Sequence, residues 1–292
     1  VPVLVQKLQV EPAELTQERP YFQNNIQFTR LAYGLDKIAE QMYPAEDALR
    51  PEDLDAGSAT VASIRLWDHR PLKDTYNQLQ SIRPYYVFDD IDIDRYAGLL
   101  GGQNGARRQV MLSARELAVD KLGTQAQTWV NQRLQYTHGY GVVAAYDNTA
   151  LSNGQPDFFE SDIPSTGALE IAQPRVYFGE LSPPYSIVGA PKGSPPVELD
   201  YPDDASPSGQ KTNTYEGTGG VPMGSLFGRL LFATKFQDAN ILLSDLVNAD
   251  SRMLWDRDPL TRVEKVAPWL TLDQDPYPVV VDGRIKWIVD AY

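Results

Sequence analysis

Glycine, proline and asparagine cut the chain from Gly139 onward into runs too short for long helices, and this punctuation restricts the fold more than any other feature. Residues 141–146, 169–171, 175–178, 185–188 and 197–201 each read as a short strand between turns, and 203–209 as a polar loop. The chain closes on residues 278–281 and 284–289 around Asp282-Gly283, a pair that favours the type I′ hairpin turn. Strands that follow one another without a helix between them pair antiparallel. The expected class is therefore α+β, with mainly antiparallel mixed sheets and several packed helices, rather than a doubly wound parallel sheet.

Helical spacing dominates the first part. After an extended polar segment over 1–19, Pro20 suits a first helical turn, and Tyr21, Phe22, Ile26, Leu31, Leu35, Ile38 and Met42 recur at three- and four-residue intervals. Gly34 interrupts this pattern and Pro44 ends it; Pro51, Gly57 and Pro71 break residues 50–74 into short pieces. Further helices are expected over 72–82, 114–122, 125–136, 226–236, 239–247 and 260–266. Strict alternation predicts a strand over 85–96, a turn over 98–105 and a second strand over 109–113, forming a hairpin. The whole of 1–292 then reads as one soluble region of two lobes, 1–140 helix-rich with a strand hairpin and 141–292 strand-rich with helices.

Charge and composition narrow the function classes. A net charge of −13 with no Lys/Arg cluster repels nucleic acid and anionic lipid and suits cations. With no cysteine, disulfides, thiolate metal sites and cysteine nucleophiles are excluded. No signal peptide or membrane-spanning run is present. The chain starts without Met and stops inside a strand pattern at Tyr292, so both ends read as cuts in a longer protein.

Four groups of residues bear on chemistry. Asp90, Asp92 and Asp94 alternate with Ile91 and Ile93, so a strand carries them on one face at roughly 7 Å intervals. Carboxylates that close repel one another unless a cation sits among them, and calcium, with six to eight oxygen ligands, suits them best. The bland alternative is a solvated face, or one paired with Arg95, Arg107 and Arg108. The run Gly217-Thr218-Gly219-Gly220 ahead of a helix suits an anion or ligand loop, although no Walker or dinucleotide spacing follows. Of the two histidines, His138 lies in a glycine-rich turn and His69 beside Asp68; both read as capping or core residues. Gly224-Ser225-Leu226-Phe227-Gly228 lacks the spacing of a nucleophile elbow. Arg30, Arg65, Arg70, Arg83, Arg115 and Arg229 read as ties between elements, with no catalytic role. No organic cofactor is implied.

Longer strings carry a family resemblance. Trp67-Asp68-His69-Arg70-Pro71-Leu72, Ile82-Arg83-Pro84-Tyr85-Tyr86, Arg108-Gln109-Val110-Met111-Leu112-Ser113-Ala114-Arg115-Glu116-Leu117 and Tyr136-Thr137-His138-Gly139-Tyr140-Gly141 are among them. Together with Tyr177-Phe178-Gly179-Glu180 they make a chain that resembles uncharacterised protein family 0182, a group of large bacterial multi-pass membrane proteins. The resemblance implies most of an extracytoplasmic region, with membrane-embedded segments of the same parent chain and envelope proteins as partners. It implies no activity and transfers no catalytic residue. The leading expectation is a membrane-tethered binding or scaffolding module holding a divalent cation. Its rivals are an envelope hydrolase that cleaves glycan or lipid with paired carboxylates, and a subunit of a transporter or envelope assembly.

Overall fold

A computed structural model describes residues 2–40, 42, 64–97, 107–191 and 193–292. The expected turn over 98–105, the stop at Pro44 and the breaks at Pro51 and Gly57 lie outside these residues. The chain divides into two compact units, Val1–Asp55 and Ala56–Tyr292.

In the first unit, residues expected to be extended are helical. A turn of helix α1 (Pro2–Val5), a π turn (Gln6–Val10) and a 3-10 turn (Glu11–Ala13) lead into α2 (Glu14–Ala32). Pro20 therefore sits inside α2 instead of opening it: the preceding Glu14, Leu15, Gln17, Glu18 and Arg19 are good helix formers and carry the helix across the missing N–H. Gly34, at φ 67°, ends the helix in the left-handed conformation, and a 3-10 turn (Leu35–Lys37) follows.

The second unit opens on α3 (His69–Gln80), capped by Asp68, whose carboxylate accepts the Arg70 N–H at 3.0 Å. Its strands in chain order are β1 (Tyr86–Val87), β2 (Asp92–Ala97), β3 (Arg107–Ala114), β4 (Glu116–Leu117), β5 (Gly139–Tyr140), β6 (Val142–Ala150), β7 (Pro156–Ser161) and β8 (Thr166–Gly167). Then come β9 (Arg175–Val176), β10 (Tyr185–Val188), β11 (Glu198–Pro202), β12 (Gln210–Asn213) and β13 (Val221–Pro222). Helices α4 (Leu226–Phe236) and α5 (Asn240–Leu243), strand β14 (Arg252–Trp255), helix α6 (Pro259–Val266) and the hairpin β15 (Tyr277–Val281) and β16 (Arg284–Ile288) complete it. All paired strands are antiparallel, and the largest sheet runs β2-β3-β6-β7-β8. The α+β class holds, and the β3–β6 pairing runs straight across residue 140.

Departures from expectation have local causes. The strand expected over 85–96 is split because the Asn77 side chain takes both backbone groups of Phe88, accepting its N–H at 3.1 Å and donating to its carbonyl at 3.0 Å. Residues 114–122 are not a helix: β4 pairs with β1, and a 3-10 turn (Val119–Lys121) follows. Residues 125–136 form a 3-10 turn and a π turn (Asn131–Gln135). Residues 169–171 form no strand, because the Leu169 N–H turns to the buried Glu160 carboxylate at 3.0 Å. The closing hairpin forms with Val281 opposite Arg284 and both turn residues at positive φ.

One face of the main sheet packs Met111, Val143 and Ala145 on α3 through Leu72 and Tyr76. The other packs Leu112, Val142 and Ala144 against the hairpin residues Val280, Ile285 and Trp287. Two arginines are buried within the unit without carboxylate partners. Arg115 donates to the carbonyls of Gln80, Tyr140 and Asp162 at 2.9–3.1 Å. Arg257 donates to those of Tyr177 at 2.7 Å and Thr137 at 2.6 Å. Replacing Arg115 by Met takes the donor from two buried carbonyls, those of Gln80 and Tyr140, each worth about 1–3 kcal/mol. Urea unfolding of Arg115→Met is expected to show a loss of roughly 2 kcal/mol or more, against about 1 kcal/mol or less for Arg83→Ala, which removes a surface pair with Asp204 and a hydrogen bond with Tyr85.

Candidate metal centre

The alternation of β2 places Asp92 and Asp94 on the face that the closing hairpin covers, leaving Ile93 on the outer side at 38% exposure. The Tyr96 hydroxyl on the same face accepts the Val280 N–H at 3.1 Å and ties β15 to β2. That tie brings Asp275, just before β15, up to the aspartates. Ligating oxygens of Asp90, Asp92 and Asp275 lie within 4.8 Å of one another.

Asp94 is outside this group, and Asp275 stands where the sequence pattern placed Asp94. The split at Phe88 takes Asp90 off the strand, so the three aspartates do not form a straight ladder; Asp94 instead accepts the Arg95 N–H at 2.6 Å. The expected arginine partners are engaged elsewhere, Arg95 with Gln109 at 3.2 Å and Arg108 with Asn148 at 3.1 Å.

Two glutamates adjoin the group. Glu116 on β4 is buried and accepts the N–H groups of Glu180 at 3.1 Å and Leu181 at 3.0 Å. Gly179 makes this turn possible, because a Cβ there would collide with the Glu116 carboxylate. Glu180 is half-buried, and its charge is felt by Asp90, Glu116, Asp89 and Asp92. Lys73 lies 3.8 Å from Asp89 at this edge. Asp92 Oδ2 and Glu180 Oε2 are buried and make no hydrogen bond.

Removal from water, reinforced by the neighbouring carboxylates, raises the proton affinity of Asp90, Asp92, Glu116 and Glu180. Burial first, then the charges of Asp90, Asp275 and Asp94, pushes Asp92 up to about 8. Burial, with Asp90 and Glu116, pushes Glu180 up to about 9. Burial pushes Glu116 up to about 7 against two N–H groups, and Asp90, beside Asp275 and Asp89, up to about 6. The donors are all hard oxygens. Calcium binds oxygen at ~2.3–2.6 Å, so two of its ligands can stand up to roughly 5 Å apart, which matches the spread of the three aspartates.

The other singled-out residues are placed differently. Carbonyls of Thr218, Gly219 and Gly220 converge on the Arg252 guanidinium at 2.6–2.9 Å. The glycine run thus holds an internal cation with its carbonyls, and β13 and the Ser225 cap separate it from the helix N-terminus. His138 is buried, with Nδ1 2.9 Å from the Thr137 hydroxyl and Nε2 3.2 Å from Asp200. Asp200 also receives Nε and Nη2 of Arg175, each at 2.7 Å. His69 stands at the start of α3, 3.9 Å from Asp68.

The sequence model of the uncharacterised protein family UPF0182 matches residues 1–292, the full chain. The chain belongs to this family. A UPF0182 protein of Tropheryma whipplei (strain TW08/27) is 50% identical over 289 residues, 99% of this chain and 29% of its own length. UPF0182 proteins of Arthrobacter sp. (strain FB24) and Moorella thermoacetica (strain ATCC 39073 / JCM 9320) are 48% and 47% identical over all of this chain. The chain spans only 29–31% of the length of these UPF0182 relatives. No solved structure matches it. Among the described residues no helix is long and apolar enough to cross a membrane.

Carboxyls with folded pKa values above the ordinary ~4 bind more protons in the folded than in the unfolded state. Their contribution to the fold is fully present below the ordinary value of about 4 and is lost as pH rises through the values of about 6, 7, 8 and 9 for Asp90, Glu116, Asp92 and Glu180. Stripped of divalent ions, the chain is expected to melt at progressively lower temperature from about pH 5 to pH 9. Asp92→Asn should flatten that slope; an equal slope in both proteins would place the dependence elsewhere.

Proposed function

We propose that this chain is a calcium-binding module in the extracytoplasmic part of a bacterial integral membrane protein, where it serves as a binding or scaffolding domain. The observation that carries the reading is the pair of buried, unpartnered oxygens, Asp92 Oδ2 and Glu180 Oε2, beside Asp90 and Asp275. A dication among them would offset their repulsion and bolt the closing hairpin to β2, since Asp275 belongs to the hairpin's approach and Asp92 to the sheet. Location is supported by the family resemblance, the acidic balance and the absence of cysteine. More than two thirds of the relatives' length lies outside the match, with room for membrane-embedded segments of the parent chain.

The rival hydrolase needs two carboxylates in a glycan-sized cleft. The aromatic-walled cleft of this unit has Glu216 as the one carboxylate in its lining, and none of Asp90, Asp92 and Asp275. The assembly reading has a specific observation in its favour. Leu226, Phe227 and Leu231 on α4 and Leu243 on α5 are 75%, 69%, 55% and 76% exposed, an apolar face that suits the remainder of the parent chain.

Thermal unfolding after chelation and calcium return tests the main reading. At about 100 times its dissociation constant a ligand adds about 2.7 kcal/mol to the folded state. Calcium is expected to raise the melting temperature of the wild type and leave Asp92→Asn unmoved. A calcium shift of equal size in both, or none in either, removes the site. For the apolar face, Leu226→Ser with Phe227→Ser should leave the unfolding of this chain within about 0.5 kcal/mol of wild type while loosening the full-length parent against protease.

A further inference from the structure

A cleft of about 290 Å³ opens between β9, the segment after β12 and β16, on residues that the cation reading does not use. Its walls are aromatic and already fixed. The Trp287 indole N–H donates to the Phe178 carbonyl at 2.8 Å, which sets the ring plane. Tyr215 stands edge-to-face on Tyr177 at 4.8 Å and lies against Gly217, where a Cβ would overlap the ring. Neither ring needs to reorganise to accept a flat ligand face.

The polar lining is uncommitted in a particular way. Arg284 on β16 is exposed, and its guanidinium makes no hydrogen bond or ion pair among the described residues. Arg175 spends Nε and Nη2 on Asp200 and leaves Nη1 with only a 3.4 Å contact to Gln173. Asn213 donates to the Tyr177 hydroxyl at 2.8 Å, which leaves its carbonyl oxygen for a ligand. Arg175 is already paired with Asp200, so Arg284 is the uncommitted positive charge of the lining and the partner for an anionic group on a chain of net charge −13.

Flat aromatic faces beside planar, multidentate hydrogen-bonding side chains suit a pyranose ring: its C–H face rests on the rings and its hydroxyls bridge amide, guanidinium and carboxylate. The volume is at the small end of the ~300–1,000 Å³ range of ligand sites, room for one or two sugar units. We propose that this cleft binds a saccharide bearing an anionic substituent, with the ring against Tyr215 and Trp287 and the anion on Arg284. The cleft acts as a recognition site, and bound sugar would draw on residues far from the aspartates in sequence.

Ligand-observed NMR on this chain, with glucuronic acid, glucose 6-phosphate and glucose as probes, tests the assignment. Saturation transfer is expected to both acidic sugars, with glucose bound at least about tenfold more weakly. Arg284→Ala should weaken the acidic sugars by about tenfold and leave glucose unchanged. Lys286→Ala, which removes a neighbouring cation paired with Asp282 at 3.8 Å and outside the cleft, should change nothing. Trp287→Phe keeps a ring and should retain binding, while Tyr215→Ala should reduce it for all three probes. Transfer to none of the probes overturns the proposal. So does equal binding of glucose and its acidic counterparts, or acidic-sugar binding that survives Arg284→Ala. Calcium-dependent melting is read separately, so failure here and failure of the cation reading are distinguishable.

Discussion

Repulsion among carboxylates that share a half-buried space is the constraint around which this part of the molecule is arranged. Strand β2 supplies Asp92, the bend ahead of it Asp90, the approach to the closing hairpin Asp275, and the turn held by Glu116 supplies Glu180. Coulomb energy between such groups grows as water is excluded, and Lys73 at the edge lies 3.8 Å from Asp89. The same unit treats buried positive charge differently. Arg115 and Arg257 are each surrounded by carbonyl oxygens that come to the guanidinium from several segments. These two buried arginines are thus met by the chain's own carbonyls, whereas Asp92 and Glu180 keep oxygens with no donor. A hard dication resolves that asymmetry with the ligand chemistry already in place.

The consequence for the fold is mechanical. The hairpin β15–β16 covers one face of the main sheet through Val280, Ile285 and Trp287, and Tyr96 pins it by one hydrogen bond. A metal joined to both Asp92 and Asp275 would add a second, charge-based fastening. Trp287 also forms part of the aromatic cleft, so what fixes the hairpin fixes one wall of the recognition site. Cation binding and ligand binding in this UPF0182 chain would be coupled through the hairpin's position, without a shared residue.

Much of this was legible in the residues. Asp282-Gly283 announces the final hairpin, and 185–188 and 226–236 announce β10 and α4, because the local pattern is enough to fix each element there. Asp90 and Asp92 stood out through alternation alone. Asp275 did not, since its proximity depends on a pairing between segments some 180 residues apart that no local spacing encodes. The break at Phe88 depends on Asn77, on another element, competing for backbone groups that a free strand would offer to a ladder. Glu160 draws Leu169 away from its expected strand through a single buried hydrogen bond. Side chains that satisfy remote backbone are the common cause of these departures, and periodicity carries no trace of them.

Counting bound calcium by equilibrium dialysis with radioactive calcium tests the central claim most directly, comparing the wild type with Asp275→Asn. Asp275 is exposed, so the substitution leaves the core intact and removes only a ligand. The account predicts a single ion held by the wild type near neutral pH, with affinity falling by about tenfold or more in the variant. No bound calcium, or equal binding in both proteins, would contradict it.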